Sequence, residues 1–133
     1  MKDYFGYEGK NCVVTGASSG MGKAVCKMLV ELGAKVYGLT RTKHDLPDYL
    51  EDIYTFDKID DVLADKDVIA LSLPETEQTK HLFNYERLHQ LKQGAMIINV
   101  GRGSAIVTKD RQLPVNELAG LLETNPGNIR IAT

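Results

Sequence analysis

Near the start of the chain, Thr15-Gly16-Ala17-Ser18-Ser19-Gly20-Met21-Gly22 combines three glycines and two hydroxyls in one short bend. Between a β-strand and a helix, such a bend turns the free amides of the helix start toward whatever rests on it, and an anion is the favoured guest. Gly16 permits a tight turn, Gly20 lets a diphosphate approach the backbone, and Gly22 lets helix and strand pack closely, while Ser18 and Ser19 add hydroxyl donors. The alternative is a glycine-rich turn that holds no ligand. A nucleoside triphosphate loop does not fit. Aligning Gly22-Lys23 with G-x-x-x-x-G-K-[ST] places Ala17 at the first glycine and Ala24 at the hydroxyl.

A second group of residues with chemistry to offer is Thr40-Arg41-Thr42-Lys43, directly after Leu39. A carboxylate at that place would bond both ribose hydroxyls of an adenosine and repel a 2′-phosphate. None is present; a guanidinium, an ammonium and two hydroxyls suit a phosphate dianion, so NADP is expected ahead of NAD, against the alternative of a solvated cationic turn. Arg102 stands between Gly101 and Gly103 at the end of an apolar run. It suits bidentate binding of a carboxylate, and equally the capping of a helix or pairing with an acid. Tyr54 and Lys58 stand four positions apart, a phenol beside an ammonium, but on a segment read as the third strand, and the pairing is read as chance. Cys12 and Cys26 read as reduced packing residues, and no His, Cys or carboxylate spacing suggests a metal.

These groups need a scaffold, and the hydrophobic pattern supplies one. Lys10–Thr15 reads as a strand and Met21, Val25, Met28, Leu29 and Leu32 as one face of a helix that Gly33 ends. Ala34–Leu39 is a second strand, Pro47 begins an irregular link, and a third strand centres on Ile53–Phe56. Asp57 is placed to cap a short helix bearing Ile59, Val62 and Leu63, and Asp67–Leu73 is apolar on both faces, as in the interior of a parallel sheet. Asn84 opens a helix with Leu88 and Leu91 that Gly94 ends, and Ala95–Val100 is a fifth strand. A helix over Val115–Leu122 from Pro114, a turn at Asn125-Pro126-Gly127 and a strand at Ile129–Ala132 complete the series. Strands alternating with helices imply parallel pairing by crossover. The expected fold is α/β, a doubly wound parallel sheet of about six strands in one three-layer domain spanning residues 1–133. Ligands of such sheets bind beyond the strand carboxyl ends, here the loops after Thr15, Leu39, Leu73 and Val100.

Composition agrees with a packed domain. The 133 residues are 43% hydrophobic and 26% charged, which argues against disorder and coiled coil. The 16 basic and 18 acidic side chains leave a net charge of -2 without a basic run, so neither nucleic acid nor membrane is an expected partner. Apolar runs such as Ala95–Val100 fall far short of the roughly 20 residues of a membrane helix, and a cytoplasmic location is expected.

Two family resemblances follow from these motifs. Residues 1–40, through T-G-A-S-S-G-M-G, resemble the first βαβ unit of short-chain dehydrogenases and reductases, which implies that Gly16, Ser18, Ser19, Gly20, Met21 and Gly22 cradle a dinucleotide diphosphate. Residues 41–110 resemble the nucleotide-binding domain of D-isomer-specific 2-hydroxyacid dehydrogenases, through D-V-I-A-L-S-L-P-E-T-E-Q-T-K-H-L-F-N at Asp67–Asn84 and L-K-Q-G-A-M-I-I-N-V-G-R-G-S-A-I-V at Leu91–Val107. By that likeness Leu73 and Pro74 line the nicotinamide ribose, Asn99, Val100 and Gly101 pass near the nicotinamide, and Arg102 holds the substrate carboxylate as the one catalytic candidate.

That second family also uses a histidine–glutamate pair, and His44, His81 and His89 do not match its position. The combined reading is an NAD(P)-binding domain of oxidoreductase ancestry, truncated or engineered as a chimera joined near Leu39–Arg41, without its substrate domain and inactive alone. One alternative is a weak NADP-dependent 2-oxo acid reductase using Arg102; another is a designed scaffold that binds nothing. Self-association through the face a substrate domain would cover is a further expectation.

Overall fold

The computed structural model describes residues 6–17, 20–73, 77, 79, 82–99 and 130–132. The elements run β1 (Asn11–Thr15), α1 (Gly20–Glu31), β2 (Lys35–Thr40), β3 (Asp52–Thr55), a 3-10 turn (Phe56–Lys58), α2 (Ile59–Leu63), β4 (Val68–Leu71), α3 (Tyr85–His89), β5 (Met96–Asn99) and β6 (Arg130–Ala132). All six strands pair in parallel in the order β3-β2-β1-β4-β5-β6, the doubly wound α/β arrangement. The chain winds outward from β1 through β2 to β3, then returns to the other side of β1 for β4. The reversal leaves a crevice between the carboxyl ends of β1 and β4.

Alternation along the strands divides the core into two layers. Val13, Leu39, Ile69, Leu71 and Ile97 face α2 and α3, where Val62, Leu63 and Leu88 cover them together with Phe83. Cys12, Val14, Val36, Val68 and Ala70 face the other way, against Cys26 and Leu29 of α1 and Leu50 of the link between β2 and β3. Every residue of β4 is buried, as the double-sided apolar pattern of that segment requires. Asp67, just before β4, accepts hydrogen bonds from the Asn11 amide at 2.9 Å and the Lys92 ammonium at 2.5 Å, so one carboxylate ties three strand entrances together. Burial pushes its pKa up, but those two donors and the charges of Lys92 and Lys10 outweigh this, and the carboxyl lies below its ordinary range.

Helix ends follow the capping residues with two corrections. Gly33 adopts φ +89°; its amide bonds the Val30 carbonyl at 3.0 Å and the Ala34 amide bonds the Leu29 carbonyl at 3.1 Å, a Schellman motif that stops α1. Asn84 caps α3 through a 2.9 Å bond from the Arg87 amide. The helix from Asn84 does not extend to Gly94, however: α3 ends at His89, the Gln90 amide tightens onto the Arg87 carbonyl, and Leu91 reaches the core from the following turn. Gly94, at φ +77°, turns the corner into β5 instead. Asp57 does not cap α2 either, because its carboxylate accepts the Thr55 hydroxyl and the chain enters the helix through the 3-10 turn. The expected helix at 115–122 and turn at 125–127 lie outside the described residues.

Where α1 meets β1 the backbones nearly touch. A Cβ on Gly22 would lie 2.6 Å from the Gly16 carbonyl carbon and 3.0 Å from the Thr15 carbonyl oxygen. Gly22→Ala should therefore lose about 1–3 kcal/mol of stability in urea unfolding, although alanine is the better helix former by roughly 0.5–1 kcal/mol. A gain in stability would show that the contact can relax. Cys12 and Cys26 are both free and buried, and burial foremost pushes each thiol up to about 12. Neither should react with a disulfide reagent at pH 8 until the chain is unfolded. The unfolded chain releases these protons from the ordinary value of 9.0, so their contribution to stability is complete below pH 9 and falls as pH rises toward 12. Thermal melts across that range check the sign.

Candidate functional site

The glycine bend is fastened on several sides. At its base the Thr15 side chain, fully buried, accepts the Ser72 amide at 2.8 Å, lacing the end of β1 to the loop after β4. Gly16, at φ +66°, donates its amide to the Leu39 carbonyl at 3.2 Å, and a Cβ there would lie 2.9 Å from the Ser72 carbonyl oxygen. That first amide belongs to the sheet and is spent on it. The Ala17 side chain is buried beneath β2, in space that exists because Gly38 has no Cβ; an added one would stand 3.2 Å from the Ala17 Cβ and 2.9 Å from Leu50 Cδ1. The Ala17 carbonyl accepts the Tyr49 hydroxyl at 3.0 Å.

At the start of α1 the described residues are open. Gly20, at φ +58°, has nothing within 4 Å of a would-be Cβ, and Met21 is 59% exposed. The first turn of α1 carries no acidic residue, so that turn adds no carboxylate to the positive end of the helix. A bend closed to side chains at Gly16 and Gly22 yet open at Gly20 is the shape that a dinucleotide diphosphate fits.

Thr40 lies one strand away, its hydroxyl donated to the Thr42 carbonyl at 2.7 Å and its side chain 4% exposed, so it shapes the corner after β2. Arg41, Thr42 and Lys43 are exposed beyond that corner. Thr42 Oγ1 and His44 Nε2 are 3.3 Å apart, and Lys43 and His44 line a cleft of about 330 Å³ with Asp45, Asp52 and Thr55. Leu73 is buried in the loop after β4, and Asn99 is buried at the end of β5, paired in register with Leu71. Gly16, Gly20, Met21, Gly22 and Leu73 thus gather at the crevice between β1 and β4, with Thr40–Lys43 and Asn99 at the neighbouring strand ends. Ser18, Ser19, Pro74, Val100, Gly101 and Arg102 lie outside the described residues.

Tyr54 and Lys58 share a different cleft, of about 370 Å³, on the α2 face with Tyr37 and Lys66. Burial foremost, with the adjacent Asp52, raises the Tyr54 pKa, the opposite of what an activated phenolate needs. Among the described residues no cluster of His, Cys and carboxylates could hold a metal. Thr15 opens the bend motif, but its bond to the loop after β4 was not part of that reading, and Gly38 and Tyr49 escape a reading by motif. Gly38 and Tyr49 act through residues remote in sequence.

A family model described as the D-isomer specific 2-hydroxyacid dehydrogenase NAD binding domain matches residues 2–113. The D-2-hydroxyacid dehydrogenase (NAD(+)) of Clostridioides difficile is 37% identical over 91 residues, 68% of this chain and 26% of that protein. A D-lactate dehydrogenase of Streptococcus agalactiae is 28% identical over 103 residues, 77% of this chain and 30% of that protein. The chain thus spans roughly a quarter to a third of these relatives. Among solved structures, a D-isomer specific 2-hydroxyacid dehydrogenase family protein of Aeromonas salmonicida superposes with TM-score 0.76 at 26% identity, covering 96% of this chain and 46% of the other. The Xanthobacter autotrophicus enzyme of the same description, solved in complex with NADPH and MES, shares the fold at TM-score 0.70 and 24% identity over 92% of this chain and 44% of its own. With its sheet order, its crevice and a family match across most of its length, the chain belongs to the D-isomer specific 2-hydroxyacid dehydrogenases, as their NAD-binding domain.

Proposed function

We propose that this domain binds a nicotinamide dinucleotide with its diphosphate on the Gly16–Gly22 bend, and that it takes NADP ahead of NAD. The observation that carries the reading is the bend itself, shut to side chains at Gly16 and Gly22 and open at Gly20, at the start of a helix with no acid in its first turn. The preference for NADP is supported by the exposed Arg41 and Lys43 beyond β2, where no carboxylate stands immediately after Thr40. Asp45 and Asp52 in the neighbouring cleft limit that preference to the cationic side of the corner. In this reading Leu73, Pro74, Asn99, Val100 and Gly101 border the nicotinamide half, and Arg102 binds the carboxylate of a 2-oxo acid. The bound cofactor supplies the hydride; the chain's own part is to hold and orient. Residues 1–133 act as one domain, and turnover depends on groups beyond those named. The T-G-x-x-x-G-x-G order supports a short-chain-type bend carried on a 2-hydroxyacid dehydrogenase sheet, by recombination or engineering.

Titration calorimetry with NADPH, NADH and ATP tests the reading. NADPH should bind most tightly, and at a hundredfold excess over Kd it should add about 2.7 kcal/mol of stability. Loss of any melting shift with millimolar nucleotide would overturn it. Replacing Arg41 and Lys43 together by alanine should weaken NADPH about ten- to a hundredfold, the loss of charge-assisted bonds, while NADH changes little. If consumption of NADPH with a small 2-oxo acid is observed, Arg102→Ala should abolish it and leave NADPH affinity intact.

A further inference from the structure

Just after the corner that follows β2, the Thr42 hydroxyl and the His44 ring meet, with Oγ1 and Nε2 3.3 Å apart. We propose that His44 is a specificity-determining residue for the 2′-phosphate of NADP, and that its protonation strengthens the preference for NADP over NAD; the inference rests on the NADP reading above. Histidine is the side chain that ordinarily changes charge between about pH 5 and 8. In the neutral ring, Nε2 accepts the Thr42 hydroxyl or donates to it, according to tautomer. In the imidazolium both ring nitrogens carry hydrogen, so Nε2 can only donate. Protonation therefore does two things at once. It adds a cation to the exposed segment that already holds Arg41 and Lys43, and it turns the Thr42 hydroxyl proton away from the ring, free to donate to a phosphate oxygen.

The surroundings give that charge its weight. Thr42 is held from the sheet, because the buried Thr40 hydroxyl bonds its carbonyl at 2.7 Å and lies 3.4 Å from the Tyr54 carbonyl of β3. His44 lines the cleft of about 330 Å³ beside β3, and the titratable groups that line it as well are Lys43 and Asp45 from its own segment and Asp52 and Tyr54 from β3. Burial foremost, then the hydrogen bond and charge of Asp52, raises the Tyr54 pKa, so the phenol stays neutral. Asp52 is fixed at the start of β3, where its carboxylate accepts the Ile53 amide at 2.8 Å. With His44 neutral, two carboxylates face one ammonium and the cleft itself opposes a phosphate dianion. With His44 charged, cations and carboxylates are equal in number, and the exposed Arg41 tips the balance toward an anion.

The test compares the full chain with His44→Gln, which keeps a neutral hydrogen-bonding side chain, by titration calorimetry with NADP+ and NAD+ at about pH 5.5 and about pH 8, either side of the ordinary histidine range. The 2′-phosphate itself loses charge as pH falls through about 6. The quantity read is therefore the NADP+ to NAD+ affinity ratio of the wild type divided by that of the variant, in which the ligand's own titration cancels. Each ratio comes from one sample and is insensitive to any unfolded fraction. The quotient should be near one at the higher pH and rise about three- to tenfold at the lower, the effect of one exposed ion pair and one added hydrogen bond. A quotient that stays flat or falls in acid, in a wild type that still prefers NADP+, overturns the role of His44 alone. A wild type that binds the two nucleotides equally at both pH values overturns the NADP preference and this inference with it, and one that binds neither overturns the dinucleotide reading as a whole.

Discussion

The close approach of the start of α1 to the end of β1 governs this molecule. At Gly22 the helix comes so near the Gly16 carbonyl that no side chain can stand between them, and the bend is forced into a tight loop whose far side is open at Gly20. Had the helix stood one Cβ farther away, its first amides would no longer crowd the sheet's carboxyl edge, where an anion can meet them. The contact fixes packing, and in the proposed function it also sets ligand geometry, which would put these glycines under two constraints.

The rest of the crevice is built around that contact by bonds between distant parts of the chain. Thr15 accepts the Ser72 amide, which brings the loop after β4 against the bend, and Asp67 ties the opposite ends of β1, β4 and β5. The two ends of the sheet are treated differently: the entrance is locked by a carboxylate with its own partners, and the exit presents amides, hydroxyls and cations. A buried hydroxyl or carboxylate without a partner costs stability, so each of these bonds specifies register as well as strengthening it.

Between β2 and β3 the described chain forms no helix, and an irregular link covers the α1 side of the sheet with Tyr49 and Leu50. That substitution matters for the site. A turn anchored by Pro47 and by the Glu51–Val36 bond can place a phenol against the bend. Membership of the 2-hydroxyacid dehydrogenase family, as its NAD-binding domain, fits this sheet order.

Among the described residues the strand periods and the period of α1 were legible in the linear chain, because local backbone preferences and burial on one face are properties of short segments. The double-sided apolar run that became β4 and the glycine that became the Schellman cap of α1 are instances. Helix ends were less so: Asp57 and Gly94 carry capping residue types, and a hydroxyl from Thr55 and a corner into β5 claimed them instead. Tertiary structure alone decided that Gly38 makes room for Ala17, that Thr15 receives Ser72, and that Tyr49 reaches the bend. Those contacts join residues 21 to 57 positions apart, and a pattern with a period of two or 3.6 carries no information about which side chains meet once the sheet is assembled.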